Sequence, residues 1–589
     1  MRILFLTRSF NSLAQRLYLE LTSLGHEVSI EFDIADAVTI EAVALFRPDL
    51  VVAPFLQRAI PEAVWRDTVC LVVHPGIVGD RGPSALDWAI VEGEREWGVT
   101  VLQAVAELDA GPVWASETFA MRTASKSSLY RNEVTEAAAL AVTRAVQRFA
   151  ATGASWPAID TEGARGRWRA SMKQADRRID WAHDDTQTIL RRIRAADGTP
   201  GVLDQLFGRP CHLYDAHADA CDSHMQPHHA HADGRDAHVQ PRDARTTAPA
   251  RPAAPGAVIA RRDHAVLRAT VDGAVWIGHV RRVEAEAFKL PTAFAFAAEV
   301  SALPERSLAI DAPEGACSWR EIRYEAADGV GTVHFDFYNG AMSTAQCERL
   351  NAALRFALRQ PERVLVLLGG TDFWSNGIHL NVIEAAESPA DESWRNITAV
   401  DDLTQTLIEA TDRIVVAAMR GNAGAGGVFM ALAADHVWAR GGVILNPHYK
   451  NMGNLYGSEY WTYLLPRRLR TGTPGDVMAH RLPLSAGQAA RLGLVDEVFD
   501  PSAPAFLTAV HRRAAALAAR HDLASLLLAK QERRRDDEAR KPLAAYRAEE
   551  LERIRRNFYG FDPSYHIARS NFVRRVAPSW TPRHLSIHR

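Results

Sequence analysis

The chain has 589 residues, 47% of them apolar and 24% charged, with a formal net charge of -3. That length exceeds one core and implies three or four units of roughly 100–200 residues each. The near balance of charge leaves no global basic field for nucleic acid. No apolar run approaches the roughly 20 residues needed to cross a bilayer, so membrane and nucleic-acid partners are not expected.

Five cysteines (Cys70, Cys211, Cys221, Cys317 and Cys347) follow no disulfide rhythm, and no CxxC occurs. That suits a reducing compartment. The opening run MRILFLT is too short for a secretion signal and lacks its basic region, so a cytoplasmic location is expected.

In chain order, residues 1–155 alternate strand and helix patterns. Ile3–Leu6 reads as a strand, Leu13–Leu24 as a helix stopped at Gly25, and Val28–Phe32 as a strand. Leu50–Pro54 and Cys70–Val73 are continuous apolar runs suited to buried parallel strands. The pattern predicts a doubly wound α/β domain, with ligands beyond the carboxyl ends of its strands.

Residues 156–300 form a second unit, with a helix over Ile179–Ala196 and strands at Ala257–Ala260 and Ala274–Val280. Within it, residues 211–255 are rich in His, Asp, Ala and Pro. Most of that insert is expected to be disordered, because it cannot bury much apolar surface. His212, His217, His224, His228, His229, His231 and His238 have no fixed ligand spacing. A solvated linker is the expectation, with adventitious or storage metal binding left open, and no defined metal site is assigned.

A third unit spans residues 318–589, with strands at Val330–Phe337 and Val364–Leu368 and a charged helical tail from about 505 to 558. Mixed charges in QERRRDDEARK (531–541) and EELERIRRNFYGF (549–561) read as solvated helix faces. A packing arm, or a contact for coenzyme phosphates, stays open for them.

Chemistry first concentrates in LVVHPGIVGDRGPSALDWAI (71–90) and GVTVLQAVAELDAGPVW (98–114). His74 follows a buried strand, and Asp109 sits in a second loop. Such a pair can move protons and hold an oxyanion during carbonyl transfer. Spacing alone leaves open a loop-capping His and a turn Asp.

These segments resemble 10-formyltetrahydrofolate-dependent formyltransferases and hydrolases. The resemblance continues through DRRIDW (176–181), RRIRAADGTPG (191–201) and PGAVIARRDHAVLRATVDGAVWIGHV (255–280), which resemble that family's small, OB-like β-barrel domain. It implies His74 and Asp109 as catalytic residues. Pro54, Phe55, Leu56, Gln57 and Asp80 are candidates for the folate pocket. The family's oxyanion-stabilising Asn, two residues before the His, is replaced here by Val72. Loss of such a donor typically costs about 10²–10³ in rate.

A second constellation pairs TDFWSNGIHLN (371–381) with RGNAGAGGVFMALAADHVWA (420–439). Glycine-rich strand-to-helix turns expose backbone N–H groups, and two that converge make an oxyanion hole. A simple tight turn is the alternative. Together with SAGQAARLGLVDEVF (485–499), these segments resemble the crotonase (enoyl-CoA hydratase/isomerase) superfamily. The resemblance implies a crotonase-fold α/β domain. The N–H groups of Ile378 and Gly426 would polarise a thioester carbonyl, with Gly377 and Gly427 beside the coenzyme A.

The family's water-activating carboxylates are missing. Phe429 occupies one of those positions, and the region of the other reads NPHYKNMG (446–453). His448, Tyr449, Tyr456 and Glu459 are the polar groups available for proton transfer.

The fusion order and NPHYKNMGNLYGSEYWTYLLPRR (446–468) make the whole chain resemble a family of nickel–iron hydrogenase maturation proteins. The resemblance implies formyl transfer from 10-formyltetrahydrofolate to coenzyme A, then decarbonylation of formyl-CoA to carbon monoxide for the active-site iron. The partners it implies are small-molecule substrates and the hydrogenase maturation machinery. Two alternatives stay open: a formyl-folate hydrolase whose crotonase half only binds, and an assembly scaffold without turnover.

Overall fold

The computed structural model describes residues 1–155, 163–219, 253–313, 318–500 and 502–589. The first sheet contains β1 (Arg2–Thr7), β2 (Glu27–Phe32), β3 (Leu50–Phe55), β4 (Cys70–His74), β5 (Glu96–Gln103) and β6 (Val113–Ala120) in the order β2-β1-β3-β4-β5-β6. The first four strands run parallel, and β5 and β6 are antiparallel. Leu13, Leu17 and Ala138 cover one face, while Ala42, Phe46 and Val64 cover the other. Layers on both faces explain why β1, β3 and β4 read as unbroken apolar runs rather than alternating ones.

The small, barrel-like β-domain contains β7 (Val202–Leu206), β8 (Arg209–Ala218), β9 (Val258–Arg262), β10 (Ala265–Ala269), β11 (Ala274–Arg282) and β12 (Leu290–Pro291). Its order is β7-β8-β11-β10-β9, with β12 on β11. The helix before it covers Thr186–Ala196, capped by the Asp185 side chain on Thr188 N–H. Residues 179–185, expected as its start, instead form turns in which Asp180 accepts from His183 and Asp184.

The expectation of disorder from residue 211 onward fails at its N-terminal end. Residues 211–218 belong to β8, with Cys211, Leu213, Tyr214, Asp215 and Ala216 buried. The bias toward His and Asp masked a strand whose polar residues are also packed, His217 stacking on Trp319 at 5.2 Å. His224, His228, His229, His231 and His238 lie outside the described residues.

The third unit has two sheets. One contains β13 (Ile322–Ala327), β14 (Val330–Phe335), β15 (Val364–Leu368), β17 (Ile414–Met419), β19 (His436–Arg440) and β22 (Glu497–Phe499), in that order. The other contains β16 (Phe373–Ser375), β18 (Asn422–Gly424), β20 (Ile444–Asn446) and β21 (Leu484–Ser485). The charged tail forms three helices, Ala503–Ala518, Leu523–Arg540 and Leu543–Tyr559. Their expected solvated face is only partly so, because Asp537 and Glu550 point inward and are buried. Among the described residues, no helix is long and apolar enough to cross a membrane.

The last residues return to the first sheet. Ile30 N–H donates to the Leu585 carbonyl at 3.0 Å, and His588 and Arg589 reach the fully buried Glu31 at 3.0 and 2.8 Å. Leu585 packs into the core over β1 and β2. Leu585→Ala is expected to cost about 2–5 kcal/mol, read as a lower urea midpoint of the first domain.

Candidate active sites

β4 ends at His74, whose ring is held between two carboxylates. Its Nε2 lies 3.0 Å from Asp80 Oδ1 and its Nδ1 3.6 Å from Asp109 Oδ2. Asp109 adopts φ 54° and accepts from Gly82 N–H at 3.2 Å. The intervening loop needs its glycines. A Cβ on Gly76 would lie 2.4 Å from His74 Nε2, and one on Gly82 would lie 2.1 Å from the Arg169 carbonyl. Trp97 Nε1–H donates to the Pro75 carbonyl and Thr100 Oγ1–H to the Gly76 carbonyl, at 2.9 and 2.8 Å.

Asp80 was expected among the folate-pocket residues. Its carboxylate is fully buried and engaged by His74 and the Arg169 guanidinium. The close pairing of a buried carboxylate with a cation and an imidazole makes Asp80 an orienting partner of His74. Arg169, which sequence reading missed, also pairs with Glu92 at 2.9 Å and lies over the Trp97 ring.

Val72 and His74 share a face of β4, and Val72, like Leu56 and Ala104, packs against the apolar cluster of Leu4, Leu6 and Ala53. Pro54 is buried, Phe55 half-buried and Gln57 exposed along the β3 end. The Phe55 ring meets Tyr130 edge-on at 6.1 Å.

Next to Tyr130, Arg131 crosses to the third unit. It pairs with Asp372 at 3.0 Å, donates to Asn339 at 2.7 Å and lies over the Phe373 ring at 4.8 Å. Asn132 donates to the same Asp372 at 2.9 Å. Gln15 Oε1 accepts from Asn446 at 3.2 Å, and Asn446 in turn accepts from Ala425 N–H through its carbonyl. The two candidate sites thus share a wall.

In the second site, Gly377 lies against Gly426, where its missing Cβ would sit 3.5 Å from Gly426 N. Gly377 has φ 77°, and its N–H donates to Ser375 Oγ at 3.0 Å. Ile378 bridges to Met342 and is only partly buried. Gly427 presses on the Ser375 carbonyl, which a Cβ would approach to 2.2 Å. Gly426 opens the helix Gly426–Leu432.

The Glu459 carboxyl lies over Gly426, and a Cβ there would sit 2.0 Å from its Oε1. Its other oxygen accepts from the Tyr449 hydroxyl. The Tyr449 ring stacks on Phe429 at 5.5 Å and 18°. The Phe429 ring therefore holds the tyrosine in place.

Glu459 and Tyr460 adopt φ 63° and 57°, a left-handed pair without glycine. Such strain persists where surroundings over-determine it. Asp401 accepts from Glu459 N–H at 2.8 Å and from Ser458 Oγ–H at 2.7 Å. Glu550 accepts from Tyr460 N–H at 2.9 Å and Thr462 N–H at 2.8 Å.

Burial, followed by the nearby Asp401 charge, pushes the Glu459 carboxyl up to about 8. Burial likewise raises Asp401 to about 6 and Glu550 to about 8. Tyr449 is pushed well above its ordinary value by burial and by Glu459. At neutral pH the Glu459–Tyr449 pair therefore holds its protons.

Asp401 and Glu550 carried no motif. Asp401 lies within the long helix Pro389–Glu409, and Glu550 inside a stretch that resembled a solvated face. His448 was grouped with Tyr449, but it does not join Glu459. Its ring nitrogens are buried, and burial, with His480, His584 and Arg481 facing it, lowers it to about 4. Tyr456 packs on Trp461 at 5.4 Å, toward the tail helix.

Fold and sites together define a formyltransferase-type module joined to an enoyl-CoA hydratase/isomerase-type module. Family models agree: formyl transferase matches residues 14–146, its C-terminal domain residues 171–294, and enoyl-CoA hydratase/isomerase residues 325–581. Hydrogenase maturation factor HoxX of Bradyrhizobium diazoefficiens is 54% identical over 589 residues, covering 100% of this chain and 97% of that one. The chain belongs to the HoxX family of hydrogenase maturation factors. The crystal structure of HypX from Aquifex aeolicus, in complex with tetrahydrofolic acid, is 46% identical and superposes with a TM-score of 0.91. The match covers 100% of this chain and 99% of that one. A methionyl-tRNA formyltransferase of Roseiflexus castenholzii is 28% identical over 210 residues, 33% of this chain and 65% of that one.

Proposed function

We propose that the chain moves a formyl group from 10-formyltetrahydrofolate to the thiol of coenzyme A and then splits formyl-CoA into carbon monoxide and free coenzyme A, serving hydrogenase maturation. The observation that carries this reading is the Glu459–Tyr449 pair set over Gly426, with Phe429 in place of a water-activating carboxylate.

In the first site the thiolate attacks the formyl carbon, and the N10–carbon bond breaks. His74, oriented by Asp80 and Asp109, carries the proton that N10 needs as it leaves. In the second site the N–H groups of Ile378 and Gly426 hold the formyl oxygen. The carbon–sulfur bond breaks with its electron pair going to sulfur, and Glu459 gives that sulfur its proton. The ionised Glu459 then takes the formyl proton and returns to its starting state, leaving carbon monoxide. No water enters the balance, in keeping with the apolar Phe429.

The shared wall through Arg131 and Asp372 supports transfer on a flexible thioester arm between neighbouring sites. Incubation with 10-formyltetrahydrofolate and coenzyme A, with a reduced haem protein as trap, tests the reading. Coenzyme-A-dependent carbon monoxide is expected. Formate without carbon monoxide would favour a hydrolase, and ligand binding without turnover a scaffold.

The pH dependence is signed. Glu459 must start protonated, and its protonated form exists below about 8. Carbon monoxide release from supplied formyl-CoA is expected to fall as pH rises through about 8, about tenfold for each further unit. A rate that instead grows through pH 8 would contradict this.

A further inference from the structure

Away from both sites, Asp215, His264 and His279 offer ligand atoms that lie within 4.8 Å of one another. All three side chains are buried. They come from separate strands and a turn: Asp215 from β8, His264 from the β9–β10 turn and His279 from β11. Asp215 is held at φ 55°, a conformation that favours glycine, and Gly278 leaves room for its carboxylate, since a Cβ there would lie 2.1 Å from Asp215 Oδ2.

A second observation points to a ligand. His264 is 7% exposed, and its Nε2 is buried with no hydrogen-bond partner. Its other nitrogen, Nδ1, faces Glu321 Oε2 at 3.5 Å. A bare imidazole nitrogen buried against a carboxylate and a second imidazole is costly unless something binds it.

Around this trio the arrangement continues. A carboxylate behind a ligating imidazole fixes the ring and raises its basicity, and Glu321 stands in that position behind His264. Glu321 is itself held by Gln346 at 2.8 Å and by Arg349. His217 Nε2 holds the second Asp215 oxygen at 2.7 Å, while His279 Nδ1 lies 2.7 Å from the first.

We propose that Asp215, His264 and His279 form a binding site for a divalent transition-metal ion of the zinc type. Two imidazoles and one carboxylate suit zinc, cobalt or nickel, whereas magnesium and calcium require shells of oxygen. Three protein ligands leave one tetrahedral position for water. The two positive charges are matched by Asp215 and Glu321, so the buried ion is neutralised locally. Zinc–nitrogen and zinc–oxygen bonds run about 2.0–2.2 Å, so an ion would take the place of the hydrogen bond between Asp215 and His279 and draw His264 toward that pair. The site joins the small β-domain to the third unit, because Glu321 precedes β13 and the His279 ring lies 6.5 Å from that of His379, the residue after Ile378. The ion would tie the oxyanion loop to the neighbouring domain. This inference stands apart from the proposed reaction.

Chelator-stripped full-length protein titrated with cobalt(II) tests it. Wild type is expected to take up a cobalt ion with the intense visible band of four-coordination, displaced by equimolar zinc. Replacing His224, His228, His229, His231 and His238 by Asn is expected to leave that band intact. His264→Gln and His279→Gln are expected to weaken binding at least about tenfold, and Glu321→Gln about 10–100-fold without moving the band. Thermal melts check that each variant folds, and Glu321→Gln carries the test should the ligand variants not. Absence of the band in wild type would overturn the proposal. So would its loss in the five-Asn variant with retention in His264→Gln.

Discussion

Glu459→Gln is expected to lower carbon monoxide release by about 10²–10⁴, the range for a lost general acid–base, while formyl-CoA accumulates. Burial keeps Glu459 protonated at neutral pH, so glutamine copies the resident side chain in shape and charge. Its amide can still meet the Tyr449 hydroxyl and rest over Gly426. The melting temperature is therefore expected to hold while the proton is gone. Chromatography of the thioester, alongside the haem-protein trap, checks both halves of the expectation. Undiminished carbon monoxide release would remove Glu459 from the chemistry.

His74→Gln is expected to lower formyl transfer by a similar factor of about 10²–10⁴, yet to leave the second site working. Chemically prepared formyl-CoA should release carbon monoxide at the unmodified rate. The ring sits between Asp80 and Asp109, and glutamine cannot carry a proton between N10 and either carboxylate. Loss of activity on both substrates would mean that the substitution reached the second site, through Arg131 or the shared wall.

The strands at Leu50–Phe55, Cys70–His74 and Val364–Leu368 were legible because burial on both faces makes them unbroken apolar runs. That His74 and Asp109 meet, and that Gly377 lies against Gly426, could be anticipated because close backbone approach leaves few alternatives in a loop. Asp401 and Glu550 were not, because a carboxylate on a helix looks the same whether it meets water or a strained turn. The pairing of Asp80 was not legible for a related reason. Its neighbour in the pair, Arg169, lies 89 residues away, and no local pattern announces it. His448, next to Tyr449 in sequence, lies in different surroundings and does not meet Glu459.

The docking of residues 581–589 on β2 also bears on how the molecule is made. Thr581 meets Glu31, a partner 550 residues earlier. At ribosomal rates of about 5–20 residues per second, β2 waits about 30–110 s for that contact. Through that interval the edge of the first sheet presents unpaired backbone groups and a charge destined for burial, the kind of edge on which stray strands assemble. The first domain to emerge is thus the last to be finished, and a nascent chain stalled before residue 581 is the species a chaperone would need to shield.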